Sequence, residues 1–292
     1  MTPMPAGPGR QLGSTAGIEP RWRTLMGQAK TPPNSFSRLA VQVADDLRMR
    51  ILVGDLDDGE ELPAEEELRE RYPVSRPTLR EAMRVLEAEG LLSVRRGALG
   101  GAVVHKPTTE LVTYSLGLVL ASRREQTGDL WAAVAELESA CAAGCARRTD
   151  RGTTIVPTLT YLLERAEAVI HDVNELASLA AMLHNAVIDL CDNASLTITT
   201  TALKTLFTSH GSRWRPDGSP IGVIEMAGRR RVLDHHRQLL DDITAGDAEA
   251  ARRTSLAMMH FLWDSGAAGP NEQVIEGETV RAQFTEGVTN RR

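Results

Sequence analysis

From residue 109 to residue 264 the sequence repeats apolar residues at helical spacing, and no strand-like alternation interrupts it. Residues three and four apart share one face of an α-helix, whereas a half-exposed strand alternates at every second residue. Turn-like residues separate the periodic segments, which are 109–122, 127–147, 153–171, 174–192, 195–209, 223–244 and 247–264. This half of the chain is therefore predicted to fold as an all-helical bundle of six to seven helices, which makes the protein mainly α.

The chain before residue 106 follows a different pattern, in which three short helices precede a hairpin. The first helix repeats apolar residues every four positions and ends at Gly54. A second follows Leu62-Pro63, since proline and acidic residues suit a first helical turn. A third begins at Ser75, a good N-cap residue, and closes at Gly90. Two strand-like stretches then flank the glycine-rich residues 95–101, which indicates a small β-hairpin.

Composition divides the chain into four parts. Residues 1–34 are rich in Pro, Gly, Ser and Thr without a hydrophobic period, so we expect a disordered tail. Residues 35–106 are expected to form the helix-turn-helix domain, and residues 108–265 the helical domain. The polar residues 266–292 are expected to form a flexible tail.

The apolar content indicates a cytoplasmic protein. No apolar run reaches the roughly 18 residues that suggest a membrane span, and the N-terminus lacks a signal-peptide pattern. The cysteines Cys141, Cys145 and Cys191 form no disulfide framework, which suits a reducing compartment. We expect them to be buried core residues.

The third N-terminal helix, 75–89, presents arginines on one face. Arg76, Arg80 and Arg84 follow one another at four-residue spacing, beside an apolar face that can pack on the preceding helices. Arginine pairs with phosphate and reads guanine in the major groove, which admits a helix. Residues 75–97 hold five arginines against three glutamates, although the whole chain carries a net charge of −6. The local positive charge favours a DNA-binding face.

Further candidate DNA contacts flank these arginines. Ser75 and Thr78 carry hydroxyls at the helix start, where backbone N–H groups also bind phosphate. Arg95, Arg96 and Gly97 lie at the hairpin tip and would meet the flanking backbone or the minor groove. Because arginines on one helix face are also common on solvated surfaces, the prediction depends on their combination with three short helices and a basic hairpin.

Residues 39–105 resemble the winged helix-turn-helix domain of the GntR family of bacterial regulators. The likeness is free of gaps and is carried by Leu62-Pro63-Ala64-Glu65, Glu67-Leu68, Val74 to Ala82 and Leu86 to Leu91. The resemblance implies DNA contacts by Arg76, Thr78, Arg80 and the region of Gly97 in the wing. Glu66 departs from the family pattern, which has a DNA-contacting arginine there, and this implies weaker DNA binding or a different operator.

Residues 108–264 resemble the helical ligand-binding domain of the FadR subfamily. The likeness is carried by Glu136 to Ala142, Leu183 to Asn193 and Asp234 to Ala251. Many members hold a metal ion with one aspartate and three histidines. His184 and His236 fall on two of those positions, whereas Ala180 and Met258 occupy the other two.

No other side chain near Ala180 or Met258 supplies the two missing metal ligands. His260 lies two residues after Met258, and two residues turn a side chain by about 200° around a helix. The position of the family's carboxylate-binding arginine is Val134. Two imidazoles fall short of the three or four ligands of a usual metal site. We therefore expect a metal-free effector pocket, lined by His184, His236 and Asn193, for an apolar or neutral molecule; a divalent transition metal on the two histidines is the alternative.

These features predict a ligand-responsive, sequence-specific DNA-binding transcription regulator and not an enzyme. We expect a homodimer that reads a pseudo-palindromic double-stranded operator, acts as a repressor released by a small metabolite, and has no membrane partner. One rival is a helical metal-dependent hydrolase that uses His184, His236 and a carboxylate such as Asp189 or Asp234. A second rival, suggested by Glu66, is a ligand-binding module with weakened DNA binding.

Overall fold

The computed structural model describes residues 37–94, 101–212, 225–266 and 273–281. The chain divides into two compact units, Met1–Lys106 and Pro107–Arg292. Helices dominate both, and the sheet among the described residues is one two-stranded antiparallel hairpin. The predicted fold class, mainly α with a small hairpin and a helical bundle, is confirmed.

The first unit holds the three predicted helices and the hairpin. Its elements are α1 (Arg38–Val53), α2 (Glu65–Arg71), α3 (Arg76–Ala88), β1 (Leu92–Val94) and β2 (Ala102–Val104). Leu92 pairs with Val104 across the hairpin. Gly54 ends α1 with φ +86°, a left-handed conformation that glycine adopts without the steric cost of a Cβ atom.

One apolar core fixes the orientation of α3 within this unit. Leu79 and Leu86 of α3 are buried against Leu47 and Ile51 of α1. Burying each such side chain contributes about 1.5–3 kcal/mol. The opposite face of α3 is consequently turned to solvent.

The second unit holds seven long helices in its described ranges. They are α4 (Thr109–Arg123), α5 (Thr127–Arg147), α6 (Arg151–Ala168), α7 (Val173–Asp189), α8 (Ala194–Ser212), α9 (Met226–Ala245) and α10 (Ala248–Asp264). Helix α5 packs against α10, α8, α9 and α7 and so lies at the centre of the unit. Among the described residues, none of the helices combines the length and the apolar character needed to cross a membrane.

The three cysteines are free and buried in this unit, as expected. Burial, reinforced by the nearby Cys191, raises the pKa of Cys141 and of Cys145 to about 12. Both are therefore protonated thiols that behave as small apolar core residues.

Residues 273–281 pack on the helical unit. The N–H of Thr127 donates to the carbonyl of Gln273 at 2.7 Å, and the side chains of Ile275 and Val280 are buried. Gly117 of α4 makes room for Val280, because a Cβ atom there would lie 2.7 Å from its side chain. The predicted flexible tail at 266–292 is therefore wrong for this segment, where two apolar side chains fill a recess in the bundle. The predicted tail at 1–34 lies outside the described residues.

Candidate functional site

The arginine face of α3 is exposed and lies beside the acidic start of α2. The side chains of Arg76 and Arg80 are 56% and 66% exposed, and Arg84 is exposed as well. Glu65 places one oxygen 3.7 Å from Nε of Arg76 and the other 3.1 Å from Nε of Arg80. Glu66 Oε1 lies 2.7 Å from Nη2 of Arg76. Carboxylates thus engage two of the three arginines, and Arg84 makes no ion pair within the described ranges.

Ser75 caps α3 and pairs with Thr78. Its Oγ accepts a hydrogen bond from the Thr78 N–H at 3.3 Å and lies 2.8 Å from the Thr78 hydroxyl. The cap satisfies a backbone donor that the first helical turn leaves unpaired. The hydroxyl that accepts in this pair keeps its own O–H free to donate to a DNA phosphate. Arg95, Arg96 and Gly97, the candidates at the hairpin tip, lie outside the described residues.

The helical unit contains a cavity of about 200 Å³ between α5, α7, α8, α9 and α10. Most of its wall is apolar and includes Trp131, Val134, Leu176, Ala180, Phe207, Met259 and Leu262. Four charged or titratable side chains also line it: Glu138, His184, Lys204 and Arg229. An apolar chamber with a few polar groups is the usual form of a small-molecule site, and helical bundles house such sites between their helices.

Glu138 is the centre of a buried charged cluster in the cavity wall. Its side chain is 2% exposed and binds Nδ1 of His184, and its second oxygen lies 4.0 Å from Nζ of Lys204. Neither that oxygen nor Nζ of Lys204 has a hydrogen-bond partner among the described residues. Buried polar groups are usually satisfied, so these two atoms are available to the polar group of a ligand.

The charges of the cluster depend on one another. Burial would raise the pKa of Glu138, but its interaction and hydrogen bond with His184, together with the nearby Lys204, outweigh burial and hold that pKa below its ordinary value. Burial lowers the pKa of Lys204, although Glu138 and Asp189 oppose the change. Glu138 is therefore an ionised carboxylate that stabilises the ammonium group of Lys204 in a low-dielectric site.

His236 lies beside His184, with their ring centroids 5.2 Å apart. Its Nδ1–H donates to the carbonyl of Val232 at 2.9 Å, and its buried Nε2 has no partner among the described residues. Met258 lines a small void next to both imidazoles. Burial, together with the neighbouring His184, lowers the pKa of His236 to about 3, so that this ring is neutral.

The donors around the two histidines do not fit a resident metal ion. Glu138 occupies Nδ1 of His184 and Val232 that of His236, which leaves one nitrogen from each ring. Ala180 lines the cavity and Met258 the adjoining void, and neither side chain offers an oxygen or nitrogen ligand. His260 is exposed, as its offset along the helix predicts. Across the described ranges, no three His, Cys, Asp or Glu side chains are grouped to hold a metal, whereas such sites need three or four ligands.

Asn193 lies away from the cavity. It is exposed, and its Oδ1 accepts a hydrogen bond from the Leu196 N–H at 3.1 Å at the start of α8. Its assignment to the effector pocket is therefore wrong, because the side chain serves as a helix cap. Asp189 and Asp234, the carboxylates considered for the rival enzyme, line neither of the two cavities that contain His184 and His236.

Sequence reasoning missed Lys204 as a cavity residue. A signal was present, because Lys204 is the only Asp, Glu, Lys or Arg in α8. A single charge in an otherwise uncharged helix is costly to bury, so its retention there indicates a partner or a ligand.

The neutral, buried His236 predicts that acid destabilises the helical unit. Because the pKa of His236 is about 3 instead of 6.5, the unfolded chain binds a proton between these values that the folded chain does not bind. The free energy of unfolding should be insensitive to this group above pH 6.5 and should fall by about 1.4 kcal/mol per pH unit below it. Urea titrations between about pH 7.5 and pH 5 measure the slope, with tryptophan fluorescence as the signal.

A His236→Leu variant provides the control for this slope. The variant keeps an apolar side chain in the buried position but cannot take up a proton. Its loss of stability between about pH 6.5 and pH 5 should be smaller than that of the wild type by about 2 kcal/mol. Equal losses would contradict a buried, neutral His236.

Comparisons with known proteins agree with both units. Residues 39–103 match the family model "Bacterial regulatory proteins, gntR family", and residues 129–261 match the "FCD domain" model. The chain is 28% identical over 230 residues to the "Putative L-lactate dehydrogenase operon regulatory protein" of Escherichia coli (strain K12), which covers 77% of this chain and 85% of the relative.

Two further comparisons concern a curated repressor and a solved structure. The "HTH-type transcriptional repressor NanR" of Klebsiella aerogenes is 29% identical over 93 residues, which cover 32% of this chain and 35% of that protein. The solved structure "Streptococcus agalactiae GntR" is 22% identical, covers 77% of this chain and 99% of its own, and has a TM-score of 0.55, so the two chains share a fold. The chain therefore combines a GntR-type helix-turn-helix with an FCD domain, and this combination supports a transcription regulator of the GntR family.

Proposed function

We propose that this regulator binds a pseudo-palindromic operator as a homodimer and that Arg76, Arg80 and Arg84 contact the DNA. The observation that carries this proposal is the exposed arginine face of α3, a helix whose opposite face is buried in the core. Such a helix can enter the major groove, and bidentate arginine contacts distinguish guanine from the other bases. Ser75, Thr78 and the wing residues Arg95, Arg96 and Gly97 would hold the flanking backbone.

A selection from random sequences tests this proposal. The purified full-length chain is incubated with a pool of random duplexes, and the retained duplexes are sequenced over successive rounds. We expect one enriched motif with two inverted half-sites spaced by about one helical turn, 10–10.5 bp centre to centre, or a multiple of it. A pool that stays random, or a single half-site without its inverted copy, would contradict binding by a symmetric dimer.

We further propose that the cavity binds a small effector whose presence releases the operator. Support comes from the apolar wall and from the unpartnered oxygen of Glu138 and Nζ of Lys204, which can bind a polar group on a mostly apolar molecule. A ligand shifts DNA binding only if its affinity differs between the two arrangements of the protein. The FCD match supports assignment to the FadR subfamily, and a repressor among the relatives supports repression.

We further propose that the chain has no catalytic role. A DNA-binding regulator of this kind would act in the cytoplasm, where its operator lies. Asp189 and Asp234 lie outside the cavity that contains His184, and the carboxylate that does line it, Glu138, is bound to His184 and faces Lys204. The two histidines serve instead as cavity residues, His184 in the wall and His236 behind it.

Blocking the cavity is expected to abolish effector binding. Ala180 lines the cavity, so an Ala180→Leu substitution places three more carbon atoms in it. Small-molecule stabilisation is measured as a rise in Tm across a panel of organic acids, amines and neutral metabolites. Molecules that stabilise the wild type and weaken operator binding should do neither to this variant.

The matched control is Ala132→Leu, the same enlargement at an exposed position of α5. This variant should respond to each molecule as the wild type does. If Ala180→Leu also retains the full response while remaining folded, the effector binds elsewhere in the protein.

A further inference from the structure

The DNA-contacting face carries two acidic side chains among its arginines. Arg76, Arg80 and Arg84 contribute three positive charges, and Glu65 and Glu66 of α2 lie within ion-pair distance of the first two. One net positive charge remains on this face, although phosphate binding requires positive charge. The acids therefore reduce the attraction of the face for DNA of any sequence.

The two acids occupy different positions. The Glu65 side chain is 30% exposed and is shared between Arg76 and Arg80, which makes it part of the packing between α2 and α3. The Glu66 side chain is 67% exposed and pairs with Arg76 alone. Of the two, Glu66 is the carboxylate that DNA would meet when it contacts Arg76.

We propose that Glu66 is a specificity-determining residue that holds Arg76 for base contact and lowers the affinity for DNA of arbitrary sequence. The inference rests on the proposed DNA-binding role of α3. A phosphate must compete with Glu66 for the guanidinium of Arg76 and is repelled by the carboxylate. A matching base edge instead meets an arginine that is already ordered, which reduces the entropy lost on binding. Discrimination between operator and other DNA therefore increases.

A Glu66→Gln substitution tests this role, because it removes the charge and keeps the size. Affinity is measured by fluorescence anisotropy at several salt concentrations, for a random-sequence duplex of about 30 bp and for the duplex selected by the wild type. The variant should bind the random duplex about threefold to tenfold more tightly. Its log affinity should fall more steeply with log salt, by about one unit of slope. The preference for the selected duplex should fall by a similar factor.

Glu67→Gln is the matched control. Glu67 is the next residue of α2, is exposed, and makes no ion pair in the part of the chain that the structure describes. The control removes the same charge from the same helix and should leave both affinities close to those of the wild type. Equal gains in the two variants would overturn the proposal, since any acid near DNA would then act alike.

A double-mutant cycle separates the positioning of Arg76 from simple repulsion. In an Arg76→Gln background, Glu66→Gln should give a clearly smaller gain for the random duplex, because the paired guanidinium is absent. The same gain with and without Arg76 would overturn the positioning role. If Glu66→Gln binds both duplexes as the wild type does, this inference fails and the DNA-binding role of α3 stands. If the wild type and the variant both bind neither duplex, the proposed function fails as well.

Discussion

Replacing Arg76 and Arg80 together by alanine is expected to weaken binding to the selected operator strongly while leaving the fold intact. Each bidentate arginine–base contact is worth about 1–3 kcal/mol, so the pair corresponds to roughly 30-fold to 20,000-fold in affinity. Both side chains are largely exposed, and surface ion pairs contribute only about 0–1 kcal/mol to stability. Anisotropy titrations measure the affinity, and circular dichroism melting measures the fold.

Arg123→Ala is the control for the loss of positive charge. Arg123 is exposed in the last turn of α4, in the helical unit, and makes no ion pair within the described residues. Its removal should change operator affinity by no more than about twofold, as expected for a surface charge outside the proposed DNA-contacting helix. Wild-type affinity of the double variant, with its fold preserved, would mean that another surface binds DNA.

Replacing Glu138 by alanine is expected to lower the free energy of unfolding of the helical unit by about 3–5 kcal/mol. The substitution leaves Lys204 and His184 without their carboxylate in an otherwise apolar wall, and an unpaired buried charge is costly. Because domains are stable by about 5–15 kcal/mol in total, this change is large. Urea denaturation followed by circular dichroism measures it.

The control is Glu136→Ala, two residues earlier on the same helix. Glu136 is exposed and forms a surface ion pair with Arg252 at 3.2 Å. Its loss should cost less than about 1 kcal/mol. In a Lys204→Met background, Glu138→Ala should cost less than it does alone, because the buried ammonium group that it leaves unpaired is gone. Equal losses for Glu136→Ala and Glu138→Ala would contradict a buried charged cluster.

Local signals made the helices predictable. The apolar repeats gave the seven helices of the second unit, and Ser75 and Gly54 act as the caps that their residue types suggest. These features depend on residues within a few positions of one another. The four-residue spacing of Arg76, Arg80 and Arg84 is also a local signal, and it was enough to place these arginines on one face of α3.

Contacts between distant residues were not predictable from the sequence. The pairing of Glu65 with Arg80 requires α2 and α3 to pack together, and that packing is set by the core instead of by the charges. Ile275 and Val280 lie in a polar sequence without a period, and the burial of Val280 depends on the space left by Gly117. Asn193 was misplaced for a different reason. It belongs to the stretch Leu183 to Asn193 that resembles a ligand-binding domain, but its side chain caps α8.

The central claim is that α3 makes this chain a sequence-specific DNA-binding protein. The most direct test is the ratio of two affinities at near-physiological salt: for the selected operator, and for a scrambled duplex of the same length and composition. We expect a preference of about 1,000-fold or more for the selected operator. Equal affinities within about threefold would contradict it, because binding would then come from general attraction to phosphate alone.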